Sequence, residues 1–181
     1  EKSLSLDRSP AGEIAVIVDE KSFLYERMTR NFDFPQVFMQ KLFSLPRIGA
    51  PFDTYLLSDI ERMPDQYKCY IFLNAVHMSD EERGAVRRVV RRDNKVSVWM
   101  FGSGMIDDNS ISAENMEDVT GMRFALDHTE WAVRLLVTNF EHPITKDLPA
   151  NTSFGTDMDL GPVPYVDDPN AIELGTLVYS R

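Results

Sequence analysis

Cysteine is almost absent. Cys69 stands alone, so no internal disulfide can form, and neither a reducing nor an oxidising compartment is excluded. Long apolar runs are missing too, and none approaches the roughly 20 residues that a membrane-spanning helix needs. Basic residues are the minority charge, 19 Lys and Arg against 29 Asp and Glu, for a net charge of −10. Such an acidic chain is not built to hold nucleic acid or an anionic membrane surface. His77, His128 and His142 are scattered without zinc-ligand spacing, and no motif asks for a metal or another cofactor. No apolar leader opens the chain, which starts Glu1-Lys2-Ser3. That start, and the ending in Leu177-Val178-Tyr179-Ser180-Arg181, read as cuts from a longer polypeptide whose compartment stays unassigned.

What is present is globular. Apolar residues make up 43% of the 181 and aromatics 10%, enough for one domain with a full core. Residues 1–13, with Ser9-Pro10-Ala11-Gly12, read as an entry linker, and 14–181 as a single domain. Ile14-Ala15-Val16-Ile17-Val18 is an apolar, β-branched run without polar alternation, which suits a strand buried on both faces of a parallel sheet. Phe34, Val37, Phe38, Leu42 and Leu45 recur at helical spacing and predict a helix over 33–47. Strands are predicted over 51–57, 69–73 and 96–101, with a short turn or helix at Ser58-Asp59-Ile60. Ser79 and Glu82 spell a capping box for a helix reaching about Arg92, and Gly121 stops a helix over 113–119. Beyond that, strands are expected at 131–137 and 172–179, separated by a proline-punctuated, loop-rich stretch. Four strand–helix units predict an α/β sandwich with a mainly parallel sheet.

Ligands of such sheets gather beyond the carboxyl ends of the strands. The polar residues there or just beyond are Asp19, Glu20, Asp59, Asn74, Ser103 and Asp107, the candidate cleft positions. Gly102-Ser103-Gly104 follows the fourth predicted strand, where many α/β enzymes carry a nucleophile. No Cys stands there, and Phe101 and Met105 occupy the places where a G-x-S-x-G elbow needs glycine. A serine nucleophile would draw on His128 and Glu130 for a triad, an H-x-E spelling that chance often produces. Cys69 lies inside a strand, as a small apolar residue would. Asp107-Asp108-Asn109 and Asp157-Met158-Asp159 break the calcium-loop register and read as Asx-rich turns. Arg83, Arg87 and Arg91 form a basic stripe on the helix after Ser79, read as a solvated face.

Several segments resemble a known family. Ile14 to Asp19, Gly49-Ala50-Pro51-Phe52-Asp53 and Tyr67 through Ala75 resemble the glutamine-amidotransferase-like domain that follows the catalytic barrel in bacterial β-galactosidases. The segments are similar to the trimerisation domain of glycoside hydrolase family 42. Ser103-Gly104-Met105-Ile106-Asp107-Asp108-Asn109 is similar to its S-G-x-x-D-x-N stretch. His142-Pro143-Ile144, Phe154-Gly155 and Asp168 through Gly175 resemble the later part of such domains. Arg92-Asp93-Asn94-Lys95 departs from it, where the family carries a glycine pair.

The resemblance implies a flavodoxin-like three-layer sandwich of the class I amidotransferase type, with the catalytic cysteine lost. It implies a non-catalytic accessory or oligomerisation domain of a multidomain glycoside hydrolase acting in carbohydrate metabolism. Its partners would be the catalytic barrel of the same parent chain, further copies of that parent and, in a lid role, carbohydrate. Two other readings stay open: a small hydrolase using Ser103, and a sugar-binding module using Trp99, Trp131 or the tyrosines.

Overall fold

The computed structural model describes residues 12–25, 34–92 and 94–180, so most of the expected linker 1–13 lies outside the described residues. The chain divides into two compact units, Glu1–Ser110 and Ile111–Arg181.

The first unit holds a four-stranded, wholly parallel sheet. Its strands are β1 (Ile14–Val18), β2 (Phe52–Leu56), β3 (Cys69–Phe72) and β4 (Val96–Trp99), in spatial order β2-β1-β3-β4. β1 is central, and its Ala15, Val16 and Ile17 have no exposure at all, as its unbroken apolar run requires. Ile14 faces both Phe52 and Cys69, so one strand sets the register of both neighbours. Val16 and Leu73 pack with Val37 and Leu45, which come from the segment predicted as a helix. That segment is a π-helix over Phe34–Ser44 followed by a 3-10 turn, Leu45–Arg47. Of the apolar positions at helical spacing, Val37 and Leu45 are buried whereas Phe38 and Leu42 are exposed, and the spacing carried no sign of the wider turn.

Helix α1 (Asp80–Val90) starts with the expected capping box, Ser79 and Glu82 each satisfying the other's backbone N–H. Lys21 Nζ reaches Glu82 Oε1 at 2.6 Å. Burial pushes the Glu82 carboxyl up, but the Lys21 and Ser79 hydrogen bonds outweigh it and hold the group below the usual glutamate range. A carboxyl with a lowered folded pKa contributes stability above its unfolded value and loses it as pH falls through the folded one. Glu82→Gln keeps an acceptor for Ser79 but loses the charge. It should cost about 1 kcal/mol at neutral pH. In urea titrations the difference from the parent should shrink as pH drops below the usual glutamate range, and a gap unchanged in acid would refute the assignment.

The basic stripe needs a correction. Arg88 pairs with Glu61, and Arg92 with Asp65, at the surface. Arg83 is buried, because its guanidinium turns inward to backbone carbonyls rather than out to water.

The second unit is antiparallel wherever its strands pair. Helix α2 (Ala113–Thr120) ends at Gly121 in the left-handed conformation. β5 (Phe124–Asp127) pairs with β8 (Val163–Val166), and β6 (Trp131–Val137) lies between β7 (Ser153–Leu160) and β9 (Gly175–Ser180). The expected loop-rich stretch is turns and irregular backbone over 138–152 and 167–174, but it also contains two strands that were not expected. In β7 the half-buried Thr156, Met158 and Leu160 alternate with exposed Asp157 and Asp159, a period of two that the charges disguised. Pro164 is tolerated because β8 has one partner within its two-stranded sheet. The last strand starts at Gly175, not at Ile172, which is exposed.

Candidate functional site

β1 and β3 end side by side, and their ends are tied. Asp19 N–H donates to Asn74 Oδ1, and Asn74 Nδ2 donates to the Asp19 carbonyl, each at 2.8 Å. Both residues are essentially unexposed. The Asp19 carboxylate then turns back on its own chain, accepting from Ser22 N–H at 2.7 Å, from Ser22 Oγ and from Lys21 N–H. This caps the short turn Ser22–Tyr25. Burial pushes the Asp19 carboxyl up, opposed by those donors.

Ser22 Oγ also accepts from His77 N–H at 3.0 Å, which carries the network to the segment after β3. His77 is 4% exposed, and its Nε2 lies 3.1 Å from Asp108 Oδ1. Its ring stacks on Tyr25, with centroids 4.3 Å apart and planes 9° from parallel. A carboxylate only accepts, so Nε2 carries a proton toward Asp108. Nδ1 is buried and no described residue hydrogen-bonds it. Leaving a buried polar atom unmet costs about 1–3 kcal/mol.

The β4 turn joins β3 through backbone groups. Gly104 N–H donates to Ala75 O, and Ile106 N–H to Val76 O. Arg83 spans both connections, donating through Nε to Met78 O and through Nη2 to Gly104 O and Ile106 O. Ser103 has no exposure, and its hydroxyl donates to Met100 O at 3.0 Å, closing its own turn.

Of the expected cleft residues, Asp19 and Asn74 meet directly. Glu20 accepts from Ser58, and Asp59 pairs with Arg62 at the surface. Asp107 accepts from Asn109 N–H, which with Ser110 holds its carboxyl below the usual range, as an Asx turn would. Asp157 lies in β7 and accepts from Arg134, so the Asx-turn expectation there fails. Ser103 belongs to the first unit, whereas His128 and Glu130 belong to the second. The H-x-E segment starts beside Asp127, whose carboxylate takes hydrogen bonds from Thr129 and Tyr179 and is held at about 2. Burial raises the Cys69 thiol, which disfavours the thiolate. Among the described residues no group of His, Cys, Asp and Glu could hold a metal ion, and no helix is long and apolar enough to cross a membrane.

Sequence reasoning missed His77, Ser22, Tyr25, Asp108 and the inward Arg83. The one available signal was position, since His77 follows closely after the end of β3.

No protein-family model matches this sequence, and no curated protein does. Among solved structures the chain is similar to a ThuA-like protein from Bacteroides uniformis, at 20% identity, over 97% of this chain and 71% of that one, with a TM-score of 0.54. That protein has a class I glutamine amidotransferase-like fold, and the likeness extends to fold alone. A β-galactosidase from Bifidobacterium adolescentis is also similar, at 10% identity, over 87% of this chain and 78% of that one, with a TM-score of 0.49.

Proposed function

We propose that this chain is a non-catalytic accessory domain of a multidomain glycoside hydrolase, serving assembly of the parent enzyme or closure over its sugar site. One observation carries the non-catalytic part. Where an amidotransferase-like scaffold holds its nucleophile, Ser103 is sealed, with its hydroxyl committed to Met100 O. The neighbouring polar groups are spent likewise, Asn74 on Asp19 and Arg83 on three carbonyls. The glycosidase part is supported by the sequence segments that resemble the domain following a β-galactosidase barrel. On this reading the catalytic carboxylates lie in that barrel, and the partners are the barrel, other copies of the parent and its carbohydrate substrate.

The test is hydrolysis of a panel of chromogenic glycosides by this chain and by the barrel-bearing polypeptide that the reading requires. Activity should be found only in the longer protein and should survive Ser103→Ala. Turnover by this chain alone, abolished by Ser103→Ala, would overturn the reading in favour of a serine hydrolase. Sedimentation of the longer protein with and without this domain separates the two roles, since only the assembly role makes its oligomeric state depend on the domain.

A further inference from the structure

We infer that Asn151 is an acceptor site for an N-linked glycan. Asn151-Thr152-Ser153 is an Asn-x-Ser triplet without proline at its centre, and no other asparagine of the chain has Ser or Thr two residues on. The triplet lies in the second unit, on the turn that leads into β7. Thr152 N–H donates to Pro149 O at 3.2 Å, which closes the turn and puts Asn151 at its third position, with φ 64°. Asparagine tolerates that left-handed conformation. The backbone beyond it is fixed to β6, since Val137 N–H donates to Thr152 O at 3.0 Å and Ser153 stands opposite Leu136. Asn151 and Ser153 are both exposed, with the half-buried Thr152 between them. Among the described residues nothing hydrogen-bonds the Asn151 carboxamide.

Turn geometry alone would be met by glycine or aspartate at position 151. Neither has a carboxamide nitrogen, and neither would make use of a hydroxyl two residues on. In the transfer, that nitrogen attacks the anomeric carbon of an oligosaccharide carried on a lipid pyrophosphate. A C–N bond forms, the C–O bond from sugar to phosphate breaks, the amide gives up a proton to the transferase, and the lipid pyrophosphate leaves. The Ser153 hydroxyl is the mark by which the transferase tells this asparagine from others. A glycan is bulky and hydrated, so the fold accepts one only where the acceptor ends in water. The turn meets that condition, and the site lies at the start of an edge strand. β7 is the outer strand of its sheet, and Phe154 beside the triplet is 53% exposed. A hydrated chain on Asn151 would stand where an open strand edge gains from cover. Carbohydrate at this position is carried by the protein covalently and is not a ligand of it.

The site does not rest on the accessory-domain reading, and the glycoside panel leaves it untouched. In the experiment the 181-residue chain, behind a cleavable secretion leader, is translated into microsomes holding oligosaccharyl transferase and its lipid-linked donor. The expected product shows one glycan-sized mass increase, removed by peptide N-glycosidase, which leaves aspartate at position 151. Asn151→Gln should abolish the increase. Because that change also alters the turn, Ser153→Ala provides a second arm in which the asparagine stays. It should abolish the increase too, whereas Ser153→Thr should retain it. The glycosylated chain should melt no lower than the unmodified one. No mass increase, while a control acceptor protein in the same reaction gains one, overturns the proposal. So does an increase that survives Asn151→Gln or Ser153→Ala or fails in Ser153→Thr, and so does a glycosylated chain without a cooperative thermal transition.

Discussion

Replacing Arg83 with Met should cost the first unit about 3 kcal/mol, enough to lower its urea midpoint visibly against a total of about 5–15 kcal/mol. The reason lies in what the guanidinium holds. Met78 O belongs to the connection after β3, and Gly104 O and Ile106 O to the one after β4. Ile106 O also accepts from Met78 N–H and would keep that partner. Met78 O and Gly104 O would lose the arginine donors at a buried location, at about 1–3 kcal/mol each, partly offset because no charge then needs burying. Arg83→Lys should do little better. A single ammonium keeps the charge but lacks the planar fork that reaches carbonyls on two connections at once. A loss below about 1 kcal/mol for Met would mean that the arginine is incidental to the strand-end architecture.

Asn74→Ala should cost about 2–4 kcal/mol, measured the same way. The side chain satisfies both the N–H and the C=O of Asp19, and both ends of that exchange are buried. Alanine orphans two backbone groups that water cannot reach. Asn74→Asp is the sharper variant. A carboxylate still accepts from Asp19 N–H but cannot donate to Asp19 O, and it puts a charge where there is no exposure. It should therefore be as damaging as alanine near neutrality and recover in acid, where the protonated carboxyl regains a donor. Stability equal to the parent at neutral pH would show that the reciprocal pair is not what ties β1 to β3.

The two substitutions concern residues that differ greatly in how visible their roles are in the sequence. Asn74 is picked out by its place at the end of an apolar run, although nothing local says that its partner is Asp19, 55 residues away. Arg83 looks like Arg87 and Arg91. Its inward turn depends on carbonyls supplied by a loop some 20 residues further on, which no helical periodicity encodes. His77 is likewise one lone histidine until the fold brings Ser22, Tyr25 and Asp108 around it. Local physics was legible throughout: the capping box at Ser79, the stop at Gly121 and the doubly buried run of β1 are all where the side chains demand. The second unit was less so. In β7 the half-buried face is carried by Thr156, Met158 and Leu160, a weak apolar signal broken by two aspartates, and the flanking prolines suggested loops.

The strand order also bears on how the chain is made. β1 is flanked by β2 and β3, both later in sequence and both parallel to it. The pentapeptide Ile14–Val18 therefore leaves the ribosome before either of its sheet partners, and it acquires its second neighbour only after Phe72 has been added. Closing those long connections costs entropy before any pairing rewards it, so no early hairpin can shelter the segment. Until then its apolar side chains, of which Ala15, Val16 and Ile17 are fully hidden in the finished fold, are free to meet other nascent chains. The span from Val18 to Phe72 sets how much chain must be added before that pentapeptide is paired on both sides.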